Sequence, residues 1–228
     1  MFVVIAAPLA QADPAAAARA LLDLRTRFDG DYPLAPDTAD SGNVRALTPS
    51  PRAALETVLH LSRARQWRVG LGIGAVRTPL PATMRDASGP GVVAAHDALG
   101  AAARRASRCA IRGEGTSPVE PLEPLLDLLL AHRERWSEQG WQLHDLLEAG
   151  GTQAGGTQAG GTQADAAQAL GITPQAVSKR ARAAGLRVDT EARTALTQLL
   201  SAALNSAALN SATRSSATRS SAALRPSA

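Results

Sequence analysis

The sequence predicts an α/β domain, built as a small sheet with helices, followed by an all-α domain and a disordered tail. Short β-branched runs alternate with helical patterns up to about residue 115, which is the order of elements in an α/β domain. Helical patterns alone continue to about residue 204. Beyond residue 205 the chain consists largely of Ser, Thr and Ala repeats, which bury too little apolar surface to offset the entropy of ordering.

The α/β domain, residues 1–115, opens with a strand and a helix. Residues 2–5 form a short apolar run, which we predict to be a buried first strand. Residues 14–28 have helical spacing, with Asp13 as N-cap and Pro14 at the first helical position. The elements predicted next are, in chain order, a loop at 29–43, a strand at 44–47, a helix at 50–66, a strand at 67–74, a loop at 77–90 and a helix at 92–107.

The strand at 67–74 carries glycine at the alternate positions 70, 72 and 74. Val69, Leu71 and Ile73 alternate with glycines, so that one face is apolar and the other is bare. A bare face lets another backbone or a ligand approach closely. The stretch GLGIGA also matches the dinucleotide-binding fingerprint, but prolines follow where that site requires a helix, so we exclude it.

The all-α part divides into segments of different composition. They are predicted to be a connecting helix at 116–140, a helix-turn-helix domain at 141–188 with a repeat insertion at 150–164, a terminal helix at 189–204 and a low-complexity tail at 205–228.

Three copies of GGTQA, beginning at residue 150, precede a pair of predicted helices. Thr162 in the last copy is predicted to cap the first helix, with Asp165 at its third position. Gly171 ends that helix, and Thr173 caps a second helix that begins at Pro174. The predicted contacts between these helices and a preceding helix at 141–149 involve Leu143, Leu146, Leu147, Ala167, Leu170, Ile172, Val177 and Ala181.

In a helix-turn-helix the second helix lies in the major groove of DNA, here the helix at 174–184. Gln175 suits an adenine edge, Lys179 a guanine edge and Arg182 a phosphate. The candidate DNA-binding residues are Thr173, Gln175, Ser178, Lys179, Arg180 and Arg182, with Arg187 nearby.

The charge distribution favours a polyanionic partner at the same end of the chain. Residues 161–228 carry 8 Lys+Arg and 3 Asp+Glu, whereas residues 1–160 carry 16 Arg and 17 Asp+Glu. Double-stranded DNA is therefore the predicted partner. The alternative is a structural helical hairpin with a solvated basic face.

This stretch resembles the helix-turn-helix of sigma-factor region 4 and of related bacterial regulators. Together with MFVVIA, WRVGLGIGAV and PLPATMRDASGP, the stretch GWQLHDLLEAG…TQADAAQALGITPQAVSKRARAAG is similar to the actinobacterial DNA-binding proteins of the SatD-like family. The resemblance covers most of residues 1–200 and is specific in the C-terminal half. It implies an N-terminal α/β domain followed by a DNA-binding module, joined by a short connection, so that two GGTQA copies are an insertion that a loop tolerates at little cost.

The chain departs from that family at an acidic motif. Members place an Asp after the first strand and Gly-Asp-Glu at a later turn, a cyclase-like pattern that can hold Mg²⁺ and a nucleotide phosphate. Here the first strand ends in Ala6-Ala7, and the later turn is Ser-Gly-Asn-Val at 41–44. Asp37 and Asp40 lie close to that turn in sequence, so a shifted site stays open beside an ordinary solvated loop.

Other classes of site find little support. Cys109 stands alone and is predicted to be a small buried residue, and the four His, at 60, 96, 132 and 144, lack metal-ligand spacing. No catalytic residue, metal or cofactor is predicted, and no stretch is long enough to span a membrane.

The favoured interpretation is a cytoplasmic, non-enzymatic, homodimeric transcriptional regulator. The alternatives are a nucleotide-binding or cyclase-like enzyme domain with an accessory helix-turn-helix, and an interaction scaffold whose hairpin binds protein. The N-terminal domain would serve dimerisation or sensing in the favoured interpretation.

Overall fold

The computed structural model describes residues 1–28, 30–39, 41–114, 119, 121–152 and 162–223, with side chains described outside 150–152 and 214–223. The chain divides into two compact units, Met1–Asp127 with Ala195–Ala228, and Leu128–Thr194. The finer division predicted at residues 115, 140, 188 and 204 stays a prediction.

The first unit contains a five-stranded mixed sheet, as predicted for an α/β domain in coarse outline. Its strands are β1 (Phe2–Pro8), β2 (Leu34–Thr38), β3 (Val44–Thr48), β4 (Trp67–Ile73) and β5 (Cys109–Gly113). They lie in the order β2-β3-β1-β4-β5, and every neighbouring pair is antiparallel except β4 and β5, which are parallel. The central strand β1 is buried from Phe2 to Ala7, which explains why it is apolar at every position.

Helices α1 (Ala16–Arg27), α2 (Pro51–Arg63) and α3 (Pro90–Ala102) accompany this sheet. Helix α2 begins close to the predicted residue 50, and the Ser50 hydroxyl caps it by accepting a hydrogen bond from Ala53 N at 3.1 Å. The predicted N-cap of α1 is wrong. Asp13 accepts a hydrogen bond from Ala15 N at 2.8 Å and so closes a turn before the helix, which begins two residues later than Pro14.

Two strands were not predicted. Strand β2 falls in the Asp- and Pro-rich stretch that the sequence assigns to a loop, and β5 follows a helix predicted to run to residue 107. Because β2 is an edge strand, it tolerates Pro36, whose carbonyl oxygen accepts a hydrogen bond from Arg25 Nη2 at 2.8 Å. The sequence signal is weak in both cases because short edge strands need no alternating pattern.

The bare face of β4 is occupied by the backbone of α3. A Cβ atom on Gly72 would overlap the Gly91 carbonyl oxygen and the Ala95 amide nitrogen, and one on Gly70 would overlap Leu99 N. The glycines therefore allow a helix to lie against the strand at backbone distance. This contact decides between the two uses predicted for the bare face, since a helix backbone and not a ligand occupies it.

The second unit consists of helices around one apolar core. In chain order, this unit contains the end of α4 (Leu122–Glu134), then α5 (Glu138–Thr152), α6 (Gln163–Leu170) and α7 (Pro174–Ala184), and the start of α8 (Leu186–Ala223). The core comprises Trp136, Leu143, Ala166, Ala167, Val177, Ala184 and Leu186, with Leu147, Leu170, Ile172 and Ala181 packed against it. Most of the predicted contacts are thereby confirmed; Leu146 is half-buried and lies outside this cluster.

Helix α8 begins three residues before the predicted position and continues to Ala223. The prediction of disorder from residue 205 is wrong for residues 205–213, which are helical and include the buried Ala207. Alanine has the highest helix propensity of any residue, and extending an existing helix is easier than starting one. An alanine-rich repeat with few large apolar side chains can therefore continue α8. Residues 224–228 lie outside the described residues. Within the described part of the chain, no helix combines the length and apolar character that a membrane span requires.

Candidate nucleic-acid interface

The last GGTQA copy starts α6, as predicted. The Thr162 hydroxyl accepts a hydrogen bond from Asp165 N at 3.1 Å, and the Asp165 carboxylate accepts one from Thr162 N at 2.9 Å. This reciprocal arrangement satisfies two backbone donors that a helix N-terminus leaves unpaired. The hydrogen bonds from the Thr162 side chain and backbone lower the pKa of Asp165, so the carboxylate is charged at neutral pH, where it favours the positive end of the helix.

A three-residue turn joins α6 to α7. Gly171 has a φ of 62°, in the left-handed region that glycine adopts without strain, and ends α6. Ile172 packs against the apolar core, and the Thr173 hydroxyl caps α7 by accepting a hydrogen bond from Ala176 N at 3.2 Å. The two helices therefore begin and end where the sequence predicts, because each boundary is set by a local cap.

Four of the six candidate residues share one side of α7. Positions 175, 178, 179 and 182 follow the helical spacing of a single face, and the side chains of Gln175, Lys179 and Arg182 are exposed. Val177, Ala181 and Ala184 lie on the opposite side and face the core. No acidic residue occurs between 173 and 187, so the exposed face of α7 carries cationic charge without a carboxylate on the same helix.

Ser178, Arg180 and Thr173 differ from the three exposed side chains of this face. Ser178 is half-buried, and its hydroxyl donates a hydrogen bond to Gln163 Oε1 at 2.8 Å, which links α7 to the first residue of α6. Arg180 is half-buried and lies by helical spacing beside the buried face, apart from Lys179 and Arg182. Thr173 is exposed at the helix start. Gln163 was not among the predicted residues, because in the sequence it is part of the third GGTQA copy.

A buried ion-pair network supports this unit. Arg133 on α4 donates two hydrogen bonds to Asp189 on α8, from Nε to Oδ1 at 2.6 Å and from Nη2 to Oδ2 at 2.8 Å. Arg193 lies 3.1 Å from Asp189 Oδ2 and donates to Glu148 Oε1 on α5 at 2.7 Å. Burial alone would raise the pKa of Glu148, but the hydrogen bond and charge of Arg193 outweigh it and lower that pKa. The network therefore ties α4, α5 and α8 together through buried and half-buried ion pairs.

The first unit offers weaker candidates. Asp37 is half-buried, and its Oδ2 accepts a hydrogen bond from Arg85 N at 3.1 Å, whereas Asp40 lies outside the described residues. Across the described ranges, no three His, Cys, Asp or Glu side chains are grouped so that they could hold a metal ion. Cys109 is buried as predicted, and burial raises the pKa of its thiol to about 12.

A cleft of about 390 Å³ lies between α1, α2 and the start of β4. Its lining includes Asp23 and His60, whose Oδ2 and Nε2 atoms lie 3.4 Å apart. Burial and the charges of Arg27 and Arg63 lower the pKa of His60, against the opposing effect of Asp23. A largely neutral imidazole beside an exposed carboxylate is an ordinary surface contact, and nothing at this cleft specifies a ligand.

Comparisons of the chain with protein-family models, with curated proteins and with solved structures give no match.

The position of Thr162 leads to a prediction about the repeats. Deleting residues 151–160 leaves one GGTQA copy, which still ends in the Thr162 cap and the first residues of α6. We expect an unchanged melting temperature and unchanged DNA affinity, because the length of the segment that joins two helices changes the closure entropy only slowly. Thermal unfolding and anisotropy titration of the two proteins test this; a large gain in either quantity would show that the extra copies impair helix docking. Residues 153–161 themselves lie outside the described residues.

Proposed function

We propose that this protein binds double-stranded DNA with α7 and acts as a transcriptional regulator of the SatD-like kind in the cytoplasm. The observation that carries the proposal is the α6–turn–α7 pair, in which both helices are capped, packed on one core and joined by three residues. A pair of that form presents one exposed cationic face, with Gln175, Lys179 and Arg182 on it.

Each candidate residue has a role in this proposal. Gln175 lies in the first turn of α7, the part of a recognition helix that approaches base edges, and its amide can pair with adenine. Lys179 follows one turn later and suits guanine, and Arg182 suits a backbone phosphate. Thr173 and Arg180 would contact phosphates at the margin of the face, and Ser178 would hold α7 to Gln163.

A second copy of the chain is expected in the functional assembly. One recognition helix contacts only a few base pairs, which gives too little discrimination among the many competing sites of a genome. Two-fold symmetric binding to a repeated half-site is the usual solution. The first unit, with its complete sheet, is the part that we assign to dimerisation or sensing.

The test is fluorescence anisotropy of a labelled mixed-sequence duplex titrated with the wild type and with Lys179→Ala/Arg182→Ala at two salt concentrations. We expect salt-sensitive binding that the double substitution weakens, and a slope of log affinity against log salt that falls by about 1, for the phosphate contact assigned to Arg182. The matched control is Arg52→Ala/Arg77→Ala, which removes the same charge from exposed positions in the first unit.

Two outcomes would contradict the proposal. In the first, the wild type does not bind the duplex at all. In the second, it binds, but the α7 pair and the control pair lower the affinity equally, which would mean that net charge and not α7 attracts DNA. If the α7 pair is selective, Gln175→Ala is expected to change the preference among base sequences more than the overall affinity.

A further inference from the structure

The amino-terminal ends of β4 and β5 meet at one edge of the sheet. Because the two strands are parallel, Val69 pairs with Cys109, and Val69 N donates a hydrogen bond to Arg108 O at 2.8 Å. Leu9 N, just beyond β1, donates to Gln66 O at 2.8 Å. The turn before β4 and the turn before β5 are therefore side by side.

Both turns are rich in arginine. Residues 63–68 and 104–108 contain six arginines and no acidic residue. Arg105 is paired with Glu123 and Asp127, through contacts of 3.1 and 2.5 Å. We call the six together the arginine edge: Arg63, Arg65, Arg68, Arg104, Arg105 and Arg108.

The backbone of this edge is strained in two places. Arg65 has a φ of 53° and Arg108 a φ of 55°, so that both lie in the left-handed region where a side chain is unfavourable. Arg108 Nη1 donates a hydrogen bond to Arg65 O at 3.1 Å, which fixes one turn against the other. Arginine thus occupies two adjoining positions where glycine would be unstrained, and strain of this kind is concentrated at functional sites.

Arg68 belongs to the same surface. By alternation along β4 it shares a face with Gly70 and Gly72, on which α3 lies. Since Ala95 lies over Gly72 and Leu99 over Gly70, α3 runs along β4 toward Arg68, and we infer that the chain that leaves α3 and carries Arg104 lies near that end of the strand. The Arg68 Nε atom is buried and makes no hydrogen bond within the described residues, and Arg104 is exposed. Because the Arg68 Nε atom is enclosed by protein, the donors that an anionic oxygen can reach first are those of the exposed Arg104, next to the half-buried Arg68 in the edge.

We propose that the arginine edge is a second binding surface for the phosphodiester backbone of nucleic acid, separate from the α7 face. Guanidinium groups present forked donors that match phosphate oxygens, and several on adjoining turns can contact successive phosphates without reading bases. That the edge binds anions is argued from its own residues; the choice of nucleic acid as the anion rests on the proposed function.

The experiment uses the full chain and a short labelled duplex, over about 50 to 200 mM salt. The substitutions are Arg68→Gln/Arg104→Gln, both outside the strained backbone positions, with Arg52→Gln/Arg77→Gln as the control of equal charge change. We expect the first pair to lower affinity about tenfold at the lower salt concentration and to reduce the salt slope by about 2, and the control pair to leave both unchanged. Arg104→Gln alone, at an exposed position, gives part of the effect even if the change at Arg68 disturbs folding.

Repeating the titration in the Lys179→Ala/Arg182→Ala background separates the two surfaces. An additional loss from Arg68→Gln/Arg104→Gln in that background supports an independent edge. If the edge pair lowers affinity while the α7 pair does not, the proposed role of α7 fails and the edge stands; the reverse result overturns the edge alone. Equal effects from the edge pair and its control, or no effect from either, also overturn the edge.

Discussion

Replacing Asp189 with Asn is expected to lower the free energy of unfolding of the second unit by about 3–5 kcal/mol. Asp189 is 1% exposed and accepts both hydrogen bonds from Arg133, which is 5% exposed, while Arg193 lies 3.1 Å away. Asparagine keeps the shape but removes the charge, so two guanidinium groups lose their shared counter-ion in a place that water does not reach. Urea unfolding followed by tryptophan fluorescence measures the change, since Arg133 lies over the Trp136 and Trp141 rings.

The matched control lies two residues further along α8. Glu191 makes an exposed pair with Arg187 at 3.7 Å, in which the side chains are 65% and 88% exposed. Glu191→Gln removes the same charge by the same chemistry and should change the stability by less than about 1 kcal/mol, because exposed pairs are screened by water. Similar losses from the two substitutions would show that burial of the Asp189 network does not govern its contribution.

Gly72→Ala is expected to destabilise the first unit by about 3 kcal/mol, although it adds a single methyl group. That methyl would overlap main-chain atoms of Gly91 and Ala95, and neither can move without displacing α3 from the sheet. Since α3 packs on β1, β4 and β5, the displacement disturbs the centre of the sheet. Urea unfolding followed by far-UV circular dichroism, with hydrogen exchange of the β1 amides, measures the loss.

Gly100→Ala makes the same chemical change within α3 itself. A Cβ at Gly100 has no neighbour within 4 Å, and alanine is the better helix former. We expect a gain of about 0.5–1 kcal/mol, opposite in sign to the effect at Gly72. If both substitutions lower the stability, the loss at Gly72 cannot be assigned to the overlap between β4 and α3.

The sequence predicts those features that are set locally. Thr162, Gly171, Thr173 and Pro174 mark the ends of α6 and α7 because caps depend on a few neighbouring residues. The apolar face of α7 follows from spacing alone. The local pattern predicts the wrong N-cap at Asp13, because that side chain, although suited to capping, closes a turn before the helix.

Features set by contacts between distant residues are not predictable in this way. Arg133 and Asp189 are 56 residues apart, and neither stands in a recognisable pattern. The bare face of β4 is visible in the sequence, but whether a helix or a ligand covers it depends on where residues 90–102 pack. The arginine edge likewise exists only because β4 and β5 are neighbours in the sheet, and β5 itself was not predicted.

Lys179 is the only lysine of the chain, and its side chain is exposed on α7. An amine-directed fluorophore or photo-crosslinker therefore meets two amines in this chain: Lys179, at the centre of the proposed interface, and the Met1 α-amino group, which donates a hydrogen bond to Gly74 O at 3.0 Å. The single cysteine does not compete, because Cys109 is buried and its thiol, with a pKa of about 12, is unreactive at neutral pH. The sequence thus confines amine labelling for single-molecule experiments to Lys179 and the amino terminus, without an engineered handle.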